Sequence, residues 1–415
     1  MSAYAVEWLG LLGRWVHLIT GIAWIGASFY FVWLDNHLIA PTDGASLKKG
    51  VGGEVWAVHG GGFYNAQKYR VAPQTLPTSL HWFYWEAYWT LLSGFFLLCL
   101  LYYAQAEIYL IDPRVAALSK PAAITLSLGF LIGGWLVYDA LCRSSLGRHG
   151  AWLGAVLALL LCAAAYGLCH LFSGRGAFIE FGAMLGTIMV ANVYFVIIPG
   201  QREMVRAKEE GREPDPAAGL RGKLRSVHNT YFTLPVLFTM VSNHYALTFG
   251  ARYNWLVLIA ISAAGVSIRT YFVARHKNHE RGGRTSPWPA VVGLGLLAAT
   301  AGALAPRPPP PGFSSTPATP PGVTGAAGSR TDEFTAIQHI VALRCVPCHA
   351  AAPSYAGFSA APKGLMLDTR DSLLTHVAAI APQVETGAMP IANLTGMTDA
   401  ERGRLLDWIR HGAPH

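Results

Sequence analysis

Ala151-Trp152-Leu153-Gly154-Ala155-Val156-Leu157-Ala158-Leu159-Leu160-Leu161-Cys162-Ala163-Ala164-Ala165-Tyr166-Gly167-Leu168-Cys169-His170 contains no Lys, Arg, Asp or Glu. A helix rises about 1.5 Å per residue, so about 20 apolar residues cross the hydrocarbon core of a bilayer. The stretch therefore predicts a membrane-spanning helix over 151–172. Seven further apolar runs lie outward from it, at 8–34, 80–105, 121–141, 178–199, 229–249, 253–274 and 288–305. Composition agrees. Of 415 residues, 53% are hydrophobic and 13% charged, against about 25% charged in soluble domains. The expected fold is all-α, an eight-helix transmembrane bundle over 1–305 in contact with membrane lipid. The net charge of +8 does not imply nucleic acid, because the cations sit in short loops between apolar runs, where they report topology. The first run lacks a basic leader and a small-residue cleavage site, so no cleavable signal peptide is expected.

Residues 306–330 are Pro-rich (Pro306-Arg307-Pro308-Pro309-Pro310-Pro311-Gly312) and read as an extended linker. The segment 331–415 is more polar and contains Cys345-Val346-Pro347-Cys348-His349. Two cysteines at this spacing, followed at once by a histidine, form a c-type haem attachment site. Cys345 and Cys348 would hold one haem c covalently, and His349 would be its proximal iron ligand. Zinc is the alternative, but no second Cys-x-x-Cys or His-x-x-x-His follows to complete a tetrahedral set. Met366, Met389 and Met397 are candidates for the opposite axial position. Met389 is preferred, because Gly387-Ala388-Met389-Pro390 reads as a loop shortly before the last helix, whereas Met366 reads as core. Helices are expected over 331–344 and 398–411, the second opened by a Thr398/Glu401 capping box. Two terminal helices beside a haem resemble the small class I cytochrome c domain. Cys99, Cys142, Cys162 and Cys169 lie in or beside apolar helices and are expected to stay reduced.

Haem attachment implies a periplasmic tail. An even helix count then places the N-terminus on the same side of the bacterial inner membrane. The loops expected to be cytoplasmic hold seventeen Lys and Arg residues, against five (Arg114, Lys120, Arg175, Arg252 and Arg307) in the opposite loops and linker. That bias agrees with the positive-inside rule.

Ionisable residues at membrane depth are functional candidates. His17 and His244 are expected in the outer part of the bundle, where they are candidate ligands for a haem b; His170 lies near the outer end of its helix. A second group lies toward the opposite surface: His81, Glu86, Asp139, Asn192 and Arg269, with Trp56, His59, Gly60-Gly61-Gly62 and Tyr64 in the first loop. Arg269 is the candidate to pair a substrate anion, with Glu86 or His81 moving protons.

Several strings are more specific. They are Arg14-Trp15-Val16-His17 with Gly21-Ile22-Ala23-Trp24-Ile25-Gly26-Ala27-Ser28 and Leu34-Asp35-Asn36; Ala191-Asn192-Val193 with Ile198-Pro199-Gly200-Gln201-Arg202; and His228-Asn229-Thr230-Tyr231 with Leu234-Pro235-Val236 and Ser242-Asn243-His244-Tyr245. Together with the haem motif, Met389-Pro390 and Asn393-Leu394-Thr395-Gly396-Met397-Thr398, they resemble the bacterial membrane-bound urate oxidase (urate hydroxylase) family over nearly the whole length. The resemblance implies oxidation of urate to 5-hydroxyisourate, with electrons leaving through the c-haem to a respiratory-chain acceptor such as a cytochrome c or terminal oxidase. It does not imply roles for Glu86, His81 or Arg269. The competing expectation is an electron-transfer subunit of a respiratory complex with no substrate of its own.

Overall fold

The computed structural model describes residues 3–279, 283–305, 326–355 and 361–414. A helix occupies each of the eight apolar runs: α1 (Ala3–His37), α2 (Trp85–Leu97), α3 (Lys120–Arg143), α4 (Gly150–Leu171), α5 (Gly174–Asn192), α6 (Pro216–Ser242), α7 (Asn254–His279) and α8 (Trp288–Ala303). Six of the helical segments are long and apolar enough to cross a membrane. α2 and α5 continue through π-helical turns, Leu98–Tyr103 and Val193–Ile197, and α5 resumes as Ile198–Glu209. Side-chain caps set several starts. Ser119 precedes α3, Ser173 precedes α5, and Asp215 precedes Pro216 at the first turn of α6.

Two boundaries differ from expectation. The sixth helix starts near 216, not 229, because its first three turns are polar and lower the local hydropathy while still packing against α5. The first loop is not irregular. It folds into an antiparallel hairpin, β1 (Val51–His59) and β2 (Gly62–Tyr69), so the all-α expectation fails there. The hairpin turns at Gly60 and Gly61, whose φ values of 56° and 81° suit a tight hairpin turn that residues with a Cβ adopt poorly.

α5 is the hub, packing against α2, α3, α4 and α6, while α1 lies against α2 and α7. At Gly182 a Cβ would fall 1.9 Å from Thr239 Oγ1, so the glycine permits the close approach of α5 and α6. Outward apolar residues such as Trp15, Leu18, Ile19 and Ile22 stay exposed, as expected for a surface that meets lipid tails.

The tail folds around its own core. α9 (Ala326–Arg344) starts five residues before the expected boundary; of the expected linker, 306–325 lie outside the described residues. α10 (Arg370–Thr375), α11 (Val377–Glu385) and α12 (Asp399–Arg410) follow, and the Thr398/Glu401 capping box is present. Phe334, Ile337, Val341, Leu405 and Trp408 share one buried cluster, with Phe334 and Trp408 rings 6.0 Å apart. Alternating helix directions place the α2–α3, α4–α5 and α6–α7 connections on one face of the bundle. The tail rests there: residues 106–109 meet 391–393, and 246–249 meet α11. This is the tail face. The hairpin lies at the opposite end, the hairpin face.

Candidate functional site

A buried polar network lies between α3, α5 and α6 toward the hairpin face. Arg225, only 4% exposed, donates to Asp139 at 2.6 Å and to Asn192 Oδ1 at 3.5 Å, and lies 4.9 Å from the Tyr138 ring centroid. Asn192 donates to Tyr138 Oη at 3.1 Å and to Asn229 Oδ1 at 2.9 Å. Asn229 donates in turn to the Met189 carbonyl, and Tyr138 Oη lies 2.7 Å from His228 Nδ1. Asp139 also accepts from Arg143. Asp139 and Asn192 are thus brought together as grouped from the sequence, but their shared cation is Arg225 and not Arg269.

Arg269 sits on α7 against α1, 8% exposed. Its guanidinium carbon is 3.9 Å from the Phe29 ring centroid, and Nε and Nη2 are buried with no hydrogen-bond partner among the described residues. A buried cation with spare donors is costly to keep. Glu86 opens α2, partly exposed, and no hydrogen bond or ion pair of its carboxylate is seen among the described residues. His81 is exposed and packs on Phe83, which in turn meets Phe31 of α1 at 4.9 Å. Phe29 and Phe31 are two residues apart, and such residues point to nearly opposite faces of a helix. The structure therefore sets Arg269 on one side of α1 and His81, through Phe83, on another.

His17 lies between α1 and α2. Its Nδ1 is 3.1 Å from the Thr90 carbonyl and 3.0 Å from Ser93 Oγ. A carbonyl can only accept, so this bond makes Nδ1 the donor and leaves Nε2 with its lone pair. Ser93 lies about ten residues, roughly 15 Å, before the tail-face end of α2 and its π turn. His244 is exposed in the turn after α6. The two histidines occupy different depths and do not form one axial pair.

In the tail, Cys345 and Cys348 lie at the turn that ends α9, where the Cys348 and His349 amides both donate to the Cys345 carbonyl. Burial pushes the Cys345 thiol up to about 11 and raises Cys348 as well. His349 Nδ1 donates to the Leu365 carbonyl at 2.9 Å. That bond fixes the ring and leaves Nε2 available, the usual arrangement of a metal-binding histidine. Met389 is half-buried in a loop held by Arg402, which donates to the Val384 and Met389 carbonyls at 2.6 and 2.8 Å. Met397 is 3% exposed and belongs to the tail core, whereas Met366 is 43% exposed. The core methionine is therefore Met397, not Met366.

The Met389 loop is also the part of the tail that meets the bundle. Arg114 reaches the Gly387 carbonyl at 3.4 Å, and Ala388 packs against the main apolar core of the bundle.

The candidates grouped from the sequence left out Arg225, Tyr138, His228, Asn229 and Glu180. Arg225 lay in the polar stretch read as a loop before the sixth apolar run, and His228 and Asn229 stood only among the family-like strings. Glu180, fully buried, accepts from Ser127 at 2.7 Å, and Ser127 meets Tyr103 Oη at 2.6 Å. It is the sole carboxylate between 178 and 199, a visible signal.

Searches of curated proteins and of solved structures returned no match. A family model described as urate oxidase N-terminal matches residues 3–303, the whole bundle, and the chain belongs to that family.

Proposed function

We propose that the chain oxidises urate to 5-hydroxyisourate in the bacterial inner membrane and passes the electrons through a haem c held by its tail. The observation that carries this reading is the seating of the Met389 loop on the tail face of the family-matched bundle. An electron outlet is useful only where it meets the oxidation site.

The reaction balances without oxygen as reactant. Urate monoanion and water give 5-hydroxyisourate, one proton and two electrons. Cys345 and Cys348 would form the thioethers, His349 Nε2 and Met389 would face the iron, and the haem would supply one-electron acceptance. The residues fit that group, because the His349 tautomer is fixed by Leu365 and the Met389 loop is fixed by Arg402. His17, held between α1 and α2, and His244, in the exposed turn after α6, do not fit a single haem b. A respiratory cytochrome c or terminal oxidase would take electrons onward. The tail face would be periplasmic, since its bundle loops are the cation-poor ones.

Arg269 is a second place where a urate anion would find donors, favoured by its two spare N–H groups. His81 would not share that place. The experiment is addition of urate to the purified chain under anaerobic conditions, with the c-haem spectrum followed. Reduction supports the reading. A haem that dithionite reduces and urate does not would sink it, leaving the electron-transfer subunit.

A further inference from the structure

We infer that the cleft between the bundle and the Met389 loop is the binding site for the flat, anionic ring that the chain oxidises. The inference rests on the urate reading and adds the location and the residues.

Four cations are described in the tail-face loops of the bundle or in the first turns of the helices they join: Arg114, Lys120, Arg175 and Arg252. The positive-inside rule keeps cations off this side, so the few that remain need a reason. Lys120 lies 3.6 Å from Glu107 and donates to the Ala104 carbonyl. The other three line one cleft of about 680 Å3, within the range of small-ligand sites.

The three arginines do different work. Arg114 is bidentate to Asp112, at 3.0 and 2.7 Å, and reaches the Gly387 carbonyl, so it fastens the tail loop. Arg175 and Arg252 have no ion pair or side-chain hydrogen bond among the described residues. Each lies over rings instead, Arg175 at 5.3 Å from the Phe249 centroid and Arg252 at 5.2 Å from that of Tyr253. Asp112 is the only carboxylate on the lining, and Arg114 neutralises it. The cleft thus offers two uncompensated guanidinium groups. The start of α5, capped by Ser173, adds its positive end.

Its walls suit a planar ligand. Tyr166, Tyr253 and Trp255 contribute rings, with Tyr166 and Trp255 5.3 Å apart edge to face. Thr386, Gly387 and Ala388 close one side, directly before Met389. A ring anion held here lies beside the loop that carries the proposed iron ligand, which is the short path that electron removal needs. The Arg269 seam has donors, but Phe29 already covers one face of the guanidinium.

The test uses the full holo-protein in detergent, with R252Q, R175Q and R252K variants. Arg252 is exposed, so its neutralisation leaves folding intact, and haem content with dithionite reduction checks each preparation. Urate affinity is read twice, as KM for haem reduction and by equilibrium dialysis of urate against the oxidised protein. Loss of one charge-assisted contact should weaken both by about tenfold in R252Q and in R175Q. R252K should keep most of the affinity, and kcat should change less than KM. Unchanged affinity in both Gln variants overturns the cleft. Arginine-dependent urate binding without haem reduction upholds the cleft and overturns the urate-oxidation reading. Absence of urate binding in wild type overturns both.

Discussion

Arg225 and Arg269 are both buried in the apolar bundle, yet their surroundings differ. Arg225 has a carboxylate at 2.6 Å, an amide oxygen at 3.5 Å and an aromatic face beside it. Arg269 has an aromatic face and two donors without partners among the described residues. Burial alone does not separate scaffold from ligand-facing charge; satisfaction of the donors does. The first region is closed and holds three helices in register. The second keeps bonding capacity unspent.

That contrast is open to attack, most severely at Arg225. Arg225→Met leaves Asp139 with Arg143 as its remaining cation and Asn192 Oδ1 without its donor, and should cost about 3 kcal/mol of bundle stability, read as loss of detergent-solubilised monodisperse protein or a large fall in Tm. The double variant R225M/D139N should lose less than the sum of the two single changes, by about 2 kcal/mol. Strict additivity would mean that the pair is not coupled. Arg269→Met comes next. Removing a buried cation whose donors are unfilled should leave stability unchanged or raise it, and a loss as large as that of R225M would erase the distinction drawn here. The same variant breaks the cleft assignment if its urate KM rises while that of R252Q does not.

The smallest effect is expected at a third arginine. Arg344 binds Glu401 at 3.0 Å in the tail and also donates to the Thr395 carbonyl. The Thr398 amide and Arg344 hold the Glu401 carboxyl below its ordinary value of 4.5. A depressed folded value means that the stabilisation is complete above about pH 4.5 and fades as pH falls through the lowered value. Hydrogen exchange in α12 of the full chain should therefore be faster in E401Q than in wild type at pH 7. The stability difference should shrink below pH 4.5.

The bundle was legible because span length is dictated by bilayer thickness, and each apolar run became a helix. The capping box at Thr398 was legible because its spacing is local. The start of α6 was not, since hydropathy registers lipid contact and the polar turns 216–228 face other helices or the hairpin face. Arg225 was hidden by that boundary. Arg269 was legible as a lone charge, and its separation from His81 was not, because helix α1 intervenes and only packing tells which face meets which neighbour. The outer arginines had been counted in the sequence as the minority side of a charge bias. Their convergence on one cleft needed the fold.

The π turn at Val193–Ile197 carries a further consequence. One extra residue per turn offsets everything beyond it by about 100° relative to an uninterrupted α-helix. Asn192, facing Arg225, and the amphipathic stretch Gln201–Glu209 therefore take their orientations from different registers within one continuous rod. A single-residue deletion in 193–197 would leave the rod intact and swing its charged end a quarter turn or more. Because Ile198 and Ala207 are buried beyond the turn, such an indel would rotate the hairpin-face surface and also displace their packing.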